Sequence, residues 1–219
     1  MKHLNVCILI LVSFSLLTSN AGVAEPTHPN EVGLYTTADG SGGTGTYVMG
    51  EPVDVYLVLT KPTDVNHGDQ PFNVITGLEL QLKFSPAPNN DLFLVNTELP
   101  PGSVDIGEIK DINTGILDFI VGIPDSEAVE VVDAAALLVR LTFLNFSSEV
   151  IKVSLGPTEG GWSIPGQMAF LGGMVPHTPY ELLPMYSMGG SHEAPVFEFN
   201  GSAVAVESES FGSVKAMYR

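Results

Sequence analysis

Residues 78–84 alternate strictly. Leu78, Leu80, Leu82 and Phe84 are interleaved with Glu79, Gln81 and Lys83. A period of two marks a β-strand with one face in a core and the other in water. The pattern therefore predicts the three leucines and Phe84 buried, and Glu79, Gln81 and Lys83 exposed. Residues 53–60 repeat it with Val53, Val55, Leu57 and Leu59, and residues 137–143 with Leu137, Val139, Leu141 and Phe143. Shorter apolar stretches at 32–35, 92–96, 103–109, 116–123, 151–155 and 195–207 bring the expectation to about nine strands.

The punctuation fits the strands. Ser85-Pro86-Ala87-Pro88-Asn89-Asn90, Pro100-Pro101-Gly102 and Asn113-Thr114-Gly115 are turn compositions. No stretch sustains a 3.6-residue period, and only residues 126–136 suggest a helical turn or two. Many short strands with Gly and Pro between them predict an all-β, two-sheet antiparallel sandwich of jelly-roll type. Residues 156–190 stand apart, rich in Gly, Pro and Met, and read as a long ordered loop or irregular hairpin inserted in the domain.

The N-terminus carries a different pattern. Lys2 and His3 precede an almost unbroken apolar run from Leu4 to Leu17, and small residues follow to Ala24. This is the layout of a secretory signal peptide, cleaved after Ala21 or, as favoured, Ala24. The run is too short to span a bilayer comfortably. The domain plan is a signal at 1–24, a polar leader at 25–31, one sandwich at 32–207 and a tail at 208–219. The expected address is extracellular or periplasmic. No transmembrane segment is expected once the signal is gone.

The one cysteine, Cys7, lies inside the signal, so the mature domain is expected to have no disulfide and to rely on its core. This style suggests a bacterial protein. The formal net charge is −17, and Lys2 would leave with the leader. Such a surface repels phosphate backbones, which argues against a nucleic-acid partner, and favours cations and basic surfaces.

Three stretches, in order, resemble the cohesin and carbohydrate-binding-module superfamily of β-sandwiches. They are the strand at 53–60, the run from Gly77 to Pro86 that ends aromatic–small polar–Pro, and residues 135–143 with their apolar–Thr–Phe ending. The resemblance covers residues 32–156. It implies a cohesin-like, non-catalytic module that binds dockerin or polysaccharide. Two departures stand against carrying that function over to named residues: no dockerin-type calcium repeat is present, and no row of exposed aromatics is evident. The ending Phe211-Gly212 to Tyr218-Arg219 resembles that of uncharacterised secreted bacterial proteins.

Chemistry is sparse. His28, His67, His177 and His192 show no i, i+2 or i+4 pairing, so no zinc signature is present. No Gly-x-Ser-x-Gly elbow occurs. Asp39, Asp64, Asp69, Asn89, Asn90 and Asp91 are loop residues that could give oxygen ligands to a structural calcium, though without EF-hand spacing; solvated turns are the plainer reading. Asn145-Phe146-Ser147 and Asn200-Gly201-Ser202 match the N-glycosylation triplet. The candidate binding surface is Trp162, Tyr180 and Tyr186, with Met168, Met174, Met185 and Met188 beside them. The plainer alternative is that these side chains cover an open end of the core. The reading is a secreted, non-enzymatic binding or structural module with a protein or polysaccharide partner and no cofactor. A carbohydrate-binding protein and a secreted glycoside hydrolase are the alternatives.

Overall fold

The computed structural model describes residues 28–42, 49–159, 163–174 and 179–200. The expected signal, the start of the expected leader, Trp162, His177 and the expected tail lie outside these residues. The strands are β1 (Glu31–Tyr35), β2 (Pro52–Thr60), β3 (Thr63–Asp64), β4 (Gln70–Pro71), β5 (Val74–Ser85), β6 (Leu92–Glu98) and β7 (Val104–Asp105). They continue with β8 (Ile116–Gly122), β9 (Val129–Glu130), β10 (Ala135–Asn145), β11 (Ile151–Gly156), β12 (Met168–Gly173), β13 (Glu181–Ser187) and β14 (Pro195–Phe199).

Twelve of these form one continuous hydrogen-bonded path, β14-β11-β5-β12-β13-β1-β2-β10-β6, with β7, β8 and β9 attached along the other edge of β5. β3 and β4 make a separate small hairpin. All the pairings are antiparallel except β1 with β13, which runs parallel through Glu31–Tyr186 and Val32–Ser187. That pair is the seam at which the path passes from one layer to the other. β1, β2, β10 and β6 form the first layer, and the strands around β5 form the second.

One apolar core lies between the layers. Val55, Leu57, Leu59, Leu141 and Phe143 come from the first, and Leu78, Leu80, Leu82, Phe119, Leu155, Phe170 and Phe197 from the second. Rings meet across the gap: Phe84 and Phe143 lie 6.2 Å apart, edge to face. Phe143 continues to Phe199 at 5.2 Å. Contacts of this geometry add to burial itself. The alternation at 78–84, 53–59 and 137–143 thus sets which side of each strand enters the core. A β-bulge between Leu137 and Val139 shifts the register, so Leu138 and Val139 are both buried while Leu137 is only half-buried.

Four sequence expectations change. Fourteen strands replace about nine among the described residues, four of them only two residues long. Of residues 103–109 only Val104–Asp105 pairs as strand. Residues 126–136 hold a 3-10 turn at Asp125–Glu127 and then β9, with no longer helix. Within residues 156–190, β12 and β13 form a regular hairpin whose Met168, Phe170, Leu183 and Met185 are core residues. Met174 and Met188 pack against that core from its margin. Four of the methionines and aromatics read as a candidate patch therefore serve as core or its cover.

Candidate functional site

The second layer has an outward face that β5 crosses in the middle. Directly opposed residues of paired strands point to the same face. One row across five strands runs Val104, Gly122, Gly77, Leu171 and Leu182. The next runs Ile120, Glu79, Ala169 and Pro184, with Ile106 beside Ile120. Gly77 opposite Gly122 leaves no side chain at the centre of the first row, so the sheet backbone is the floor of a trough. Val104 and Ile106 form one wall and Leu171 and Leu182 the other.

The trough is a concavity of about 380 Å³. Its walls are unusually bare: Val104 is 63%, Ile106 67% and Leu182 44% exposed. Scattered exposed apolar residues need no explanation, but a contiguous set lining a groove marks an interaction surface. A second concavity of about 420 Å³ lies between β10 and residues 98–101 and is lined by Tyr56, Glu98, Pro100, Pro101 and Arg140. Two of its charged groups are paired, Arg140 with Glu98 at 3.2 Å, and Arg140 also reaches Asp54 at 2.7 Å.

One end of the trough is closed by the chain that leaves β11. The Thr158 hydroxyl donates to Glu79 Oε1 at 2.9 Å, and the Ser163 backbone N–H donates to Glu79 Oε2 at 3.0 Å. Next along the face, Gln81 Nε2 donates to Asp118 Oδ1 at 2.7 Å. Glu79, Gln81 and Asp118 are all buried. The expectation of exposed Glu79 and Gln81 is thereby corrected. The outer face of β5 is polar because a second stretch of chain covers it and needs hydrogen-bond partners. Only Lys83 remains partly in water.

Of the three proposed surface residues, Trp162 lies outside the described residues. Tyr186 shares the parity of Leu182 and Pro184 and so lies on the outward side of β13, while Tyr180 immediately precedes the strand. Tyr186 is exposed and Tyr180 half-buried. Burial, and then the neighbouring Asp125 carboxylate, hold the Tyr180 phenol above its usual range.

Among the loop acids, Asp39 is held by local partners. Asp39 Oδ1 accepts from the hydroxyls of Thr37 and Ser41 and from the Ser41 N–H. The Ser41 hydroxyl, with Thr37, draws its carboxyl down to about 2. Asn89 and Asn90 sit at positive φ in a tight turn, and Asp91 N–H closes onto Pro88 O. The two glycosylation triplets also have inward uses, because Asn145 Nδ2 donates to Asn200 Oδ1 at 3.0 Å and Asn200 Nδ2 donates to Ser147 O at 2.7 Å.

Asp64 is different. It ends β3, is buried, and its Oδ1 accepts the N–H groups of Asn66 and His67. Its Oδ2 lies 3.0 Å from His67 Nδ1, and the same nitrogen lies 2.9 Å from Glu181 Oε1 at the start of β13. No local spacing signals this cluster, because Glu181 comes from the far end of the chain.

The architecture is that of an all-β sandwich with a grooved outer face. It is similar to the second type II cohesin module from the cellulosomal adaptor ScaA scaffoldin of Acetivibrio cellulolyticus, at 12% identity over 80% of this chain and 99% of that one, with a TM-score of 0.43. A second structure of that module, including its long C-terminal linker, aligns at 14% identity over 85% of this chain and 98% of that one, TM-score 0.43. The C-terminal domain of the Streptococcus agalactiae AgI/II polypeptide BspA aligns at 9% identity over 71% of this chain and 49% of that one, TM-score 0.34. No family model matches the chain. No curated protein matches it either.

Proposed function

We propose that the protein is a secreted, non-catalytic module that docks a protein partner in the trough of the second layer. The observation that carries this reading is the row Val104–Gly122–Gly77–Leu171–Leu182. It combines bare backbone at the centre with exposed aliphatic walls on both sides. A floor without side chains admits an apolar ridge to van der Waals contact, and desolvated apolar anchors of this kind carry most of a binding energy. The partner is one with a basic rim, since a net charge of −17 steers basic surfaces in and repels acidic ones. Glu79, the carboxylate nearest the trough, accepts from Thr158 and from the Ser163 backbone. Those bonds fix it as a structural acceptor, which favours binding over acid–base chemistry. No helix among the described residues is long and apolar enough to cross a membrane. The N-terminal pattern supports export.

The test is binding of the exported protein to its native extracellular proteins, followed by mapping with a photo-crosslinking residue at position 106. A Cβ at Gly122 meets nothing within 4 Å, so Gly122→Trp fills the trough without disturbing the sheet. The expected result is a partner crosslinked at 106, weakened at high salt and lost in Gly122→Trp. Binding untouched by that variant, or inhibited by soluble glycans, would overturn the reading. Sequencing the exported N-terminus should give a start near Gly22 or Glu25.

A further inference from the structure

We infer that Asp64, His67 and Glu181 form a binding site for a divalent first-row transition ion, clipping the β3–β4 hairpin to the start of β13. Three residues of the right chemistry converge: Asp64, His67 and Glu181 each offer one ligand atom within 4.8 Å of the other two. His67 Nδ1 is 3.0 Å from the first oxygen and 2.9 Å from the second. Metal–ligand bonds of about 2.1 Å set neighbouring ligands about 3.0 Å apart at octahedral right angles and about 3.4 Å apart at tetrahedral angles. The two separations from Nδ1 match those of adjacent ligands in an octahedron, with water completing the sphere.

Hydrogen bonding alone accounts for the cluster poorly. Nδ1 carries at most one proton, yet an oxygen from each of two carboxylates stands at bonding distance from it. A single N–H shared between them makes a bent three-centre bond that serves each oxygen poorly. A doubly charged cation satisfies both oxygens and the ring nitrogen together, and leaves the site neutral.

The ligands are also held before any ion arrives. Asp64 is buried, with Oδ1 fixed by two backbone N–H groups; Oδ2 is the nearer of its oxygens to His67 Nδ1, at 3.0 Å against 3.2 Å. Thr63, beside it, exchanges two hydrogen bonds with the Asn30 side chain, which pins β3 to the entrance of β1. Glu181 is set by its register opposite Gly172. The His67 ring is the mobile partner, its side chain 66% exposed, and can close on an incoming ion. An imidazole among the ligands selects zinc, nickel or copper over calcium, which takes oxygen donors.

The experiment uses the full exported chain freed of metal with a chelator. It is titrated with zinc chloride and, separately, with calcium chloride, by calorimetry and by thermal melting. The expected result is one zinc per chain, a melting temperature that climbs with the logarithm of free zinc, and no response to millimolar calcium. His67→Ala should weaken zinc at least about tenfold, and Glu181→Gln likewise. Because Asp64 also holds a turn, its variants are avoided. His192→Ala should bind as the parent does. Zinc binding unchanged in His67→Ala, an equal response to calcium, or no zinc response at all would overturn the site. The last of these would leave His67 as a hydrogen-bonding partner of the two carboxylates only.

Discussion

Gln81 and Asp118, cross-strand neighbours on the outward side of β5 and β8, share a buried 2.7 Å hydrogen bond from amide to carboxylate. Alternation alone makes Gln81 a surface residue and Gln81→Asp harmless. The bond reverses that expectation. Aspartate at 81 would face Asp118 with two carboxylates and no donor, both shielded from water. Removing the donor and adding a like charge should cost about 3 kcal/mol at pH 7. Urea midpoints of parent and variant at pH 7 check this, and a midpoint equal to the parent's would refute it.

The core half of the same strand behaves as its sequence implies. Leu80 is fully buried between the layers. Leu80→Ala should cost about 2–5 kcal/mol through lost burial and the cavity left behind. Tyr186→Ala, on an exposed position of β13, should cost less than about 1 kcal/mol. Chemical denaturation of the two variants should separate them clearly.

These contrasts show what could be read from the chain. Which side of β2, β5 and β10 enters the core follows from their own residues, because burial there depends on the period of two. What covers the outer side of β5 does not, since Thr158 and Ser163 lie about 80 residues downstream of Glu79. The Gly, Pro and Met content of residues 156–190 suggests a loop or irregular hairpin where β12 and β13 pair regularly, and Pro184 ordinarily argues against an internal strand. Its neighbours explain the exception. The N–H groups of Tyr186 and Met188 point to β1, so by the period of two the missing N–H of Pro184 points that way too, where pairing with β1 begins only at Tyr186. No ladder bond is lost. The metal cluster was half visible: Asp64 was a candidate oxygen ligand, but His67 needed Glu181 from across the fold.

On the first layer, Arg140 Nη2 donates to Asp54 Oδ2 at 2.7 Å and the Thr142 hydroxyl to Oδ1 at 2.7 Å. The Arg140 hydrogen bond above all, then that from Thr142, holds the Asp54 carboxyl below its usual range despite partial burial. A depressed carboxylate stabilises the fold above its ordinary pKa of about 4, and that contribution is lost as pH falls through its folded value. The pair is partly solvated, so Asp54→Asn should cost about 1 kcal/mol or less at pH 7. Parent and variant should converge by pH 2. A difference that is the same at pH 7 and pH 2 would show that packing, not charge, is responsible.

The two glycines of the trough floor should respond oppositely to the smallest possible side chain. Neither needs a left-handed backbone, so strain is not at issue. A Cβ on Gly77 would lie 3.2 Å from the Val121 carbonyl oxygen and 3.4 Å from Leu171 Cβ. The carbonyl belongs to the β5–β8 ladder and cannot move without disturbing it. A Cβ on Gly122 meets only open space, and alanine there removes freedom from the unfolded chain at no cost in contact. Gly77→Ala should therefore destabilise by about 1 kcal/mol, as modest overpacking does. Gly122→Ala should be neutral or stabilising by up to about 1 kcal/mol. Thermal melts of the two variants beside the parent measure the contrast. Were Gly122→Ala the more damaging of the two, position 122 would not be the open floor of the trough, and the docking surface built on it would fall with it.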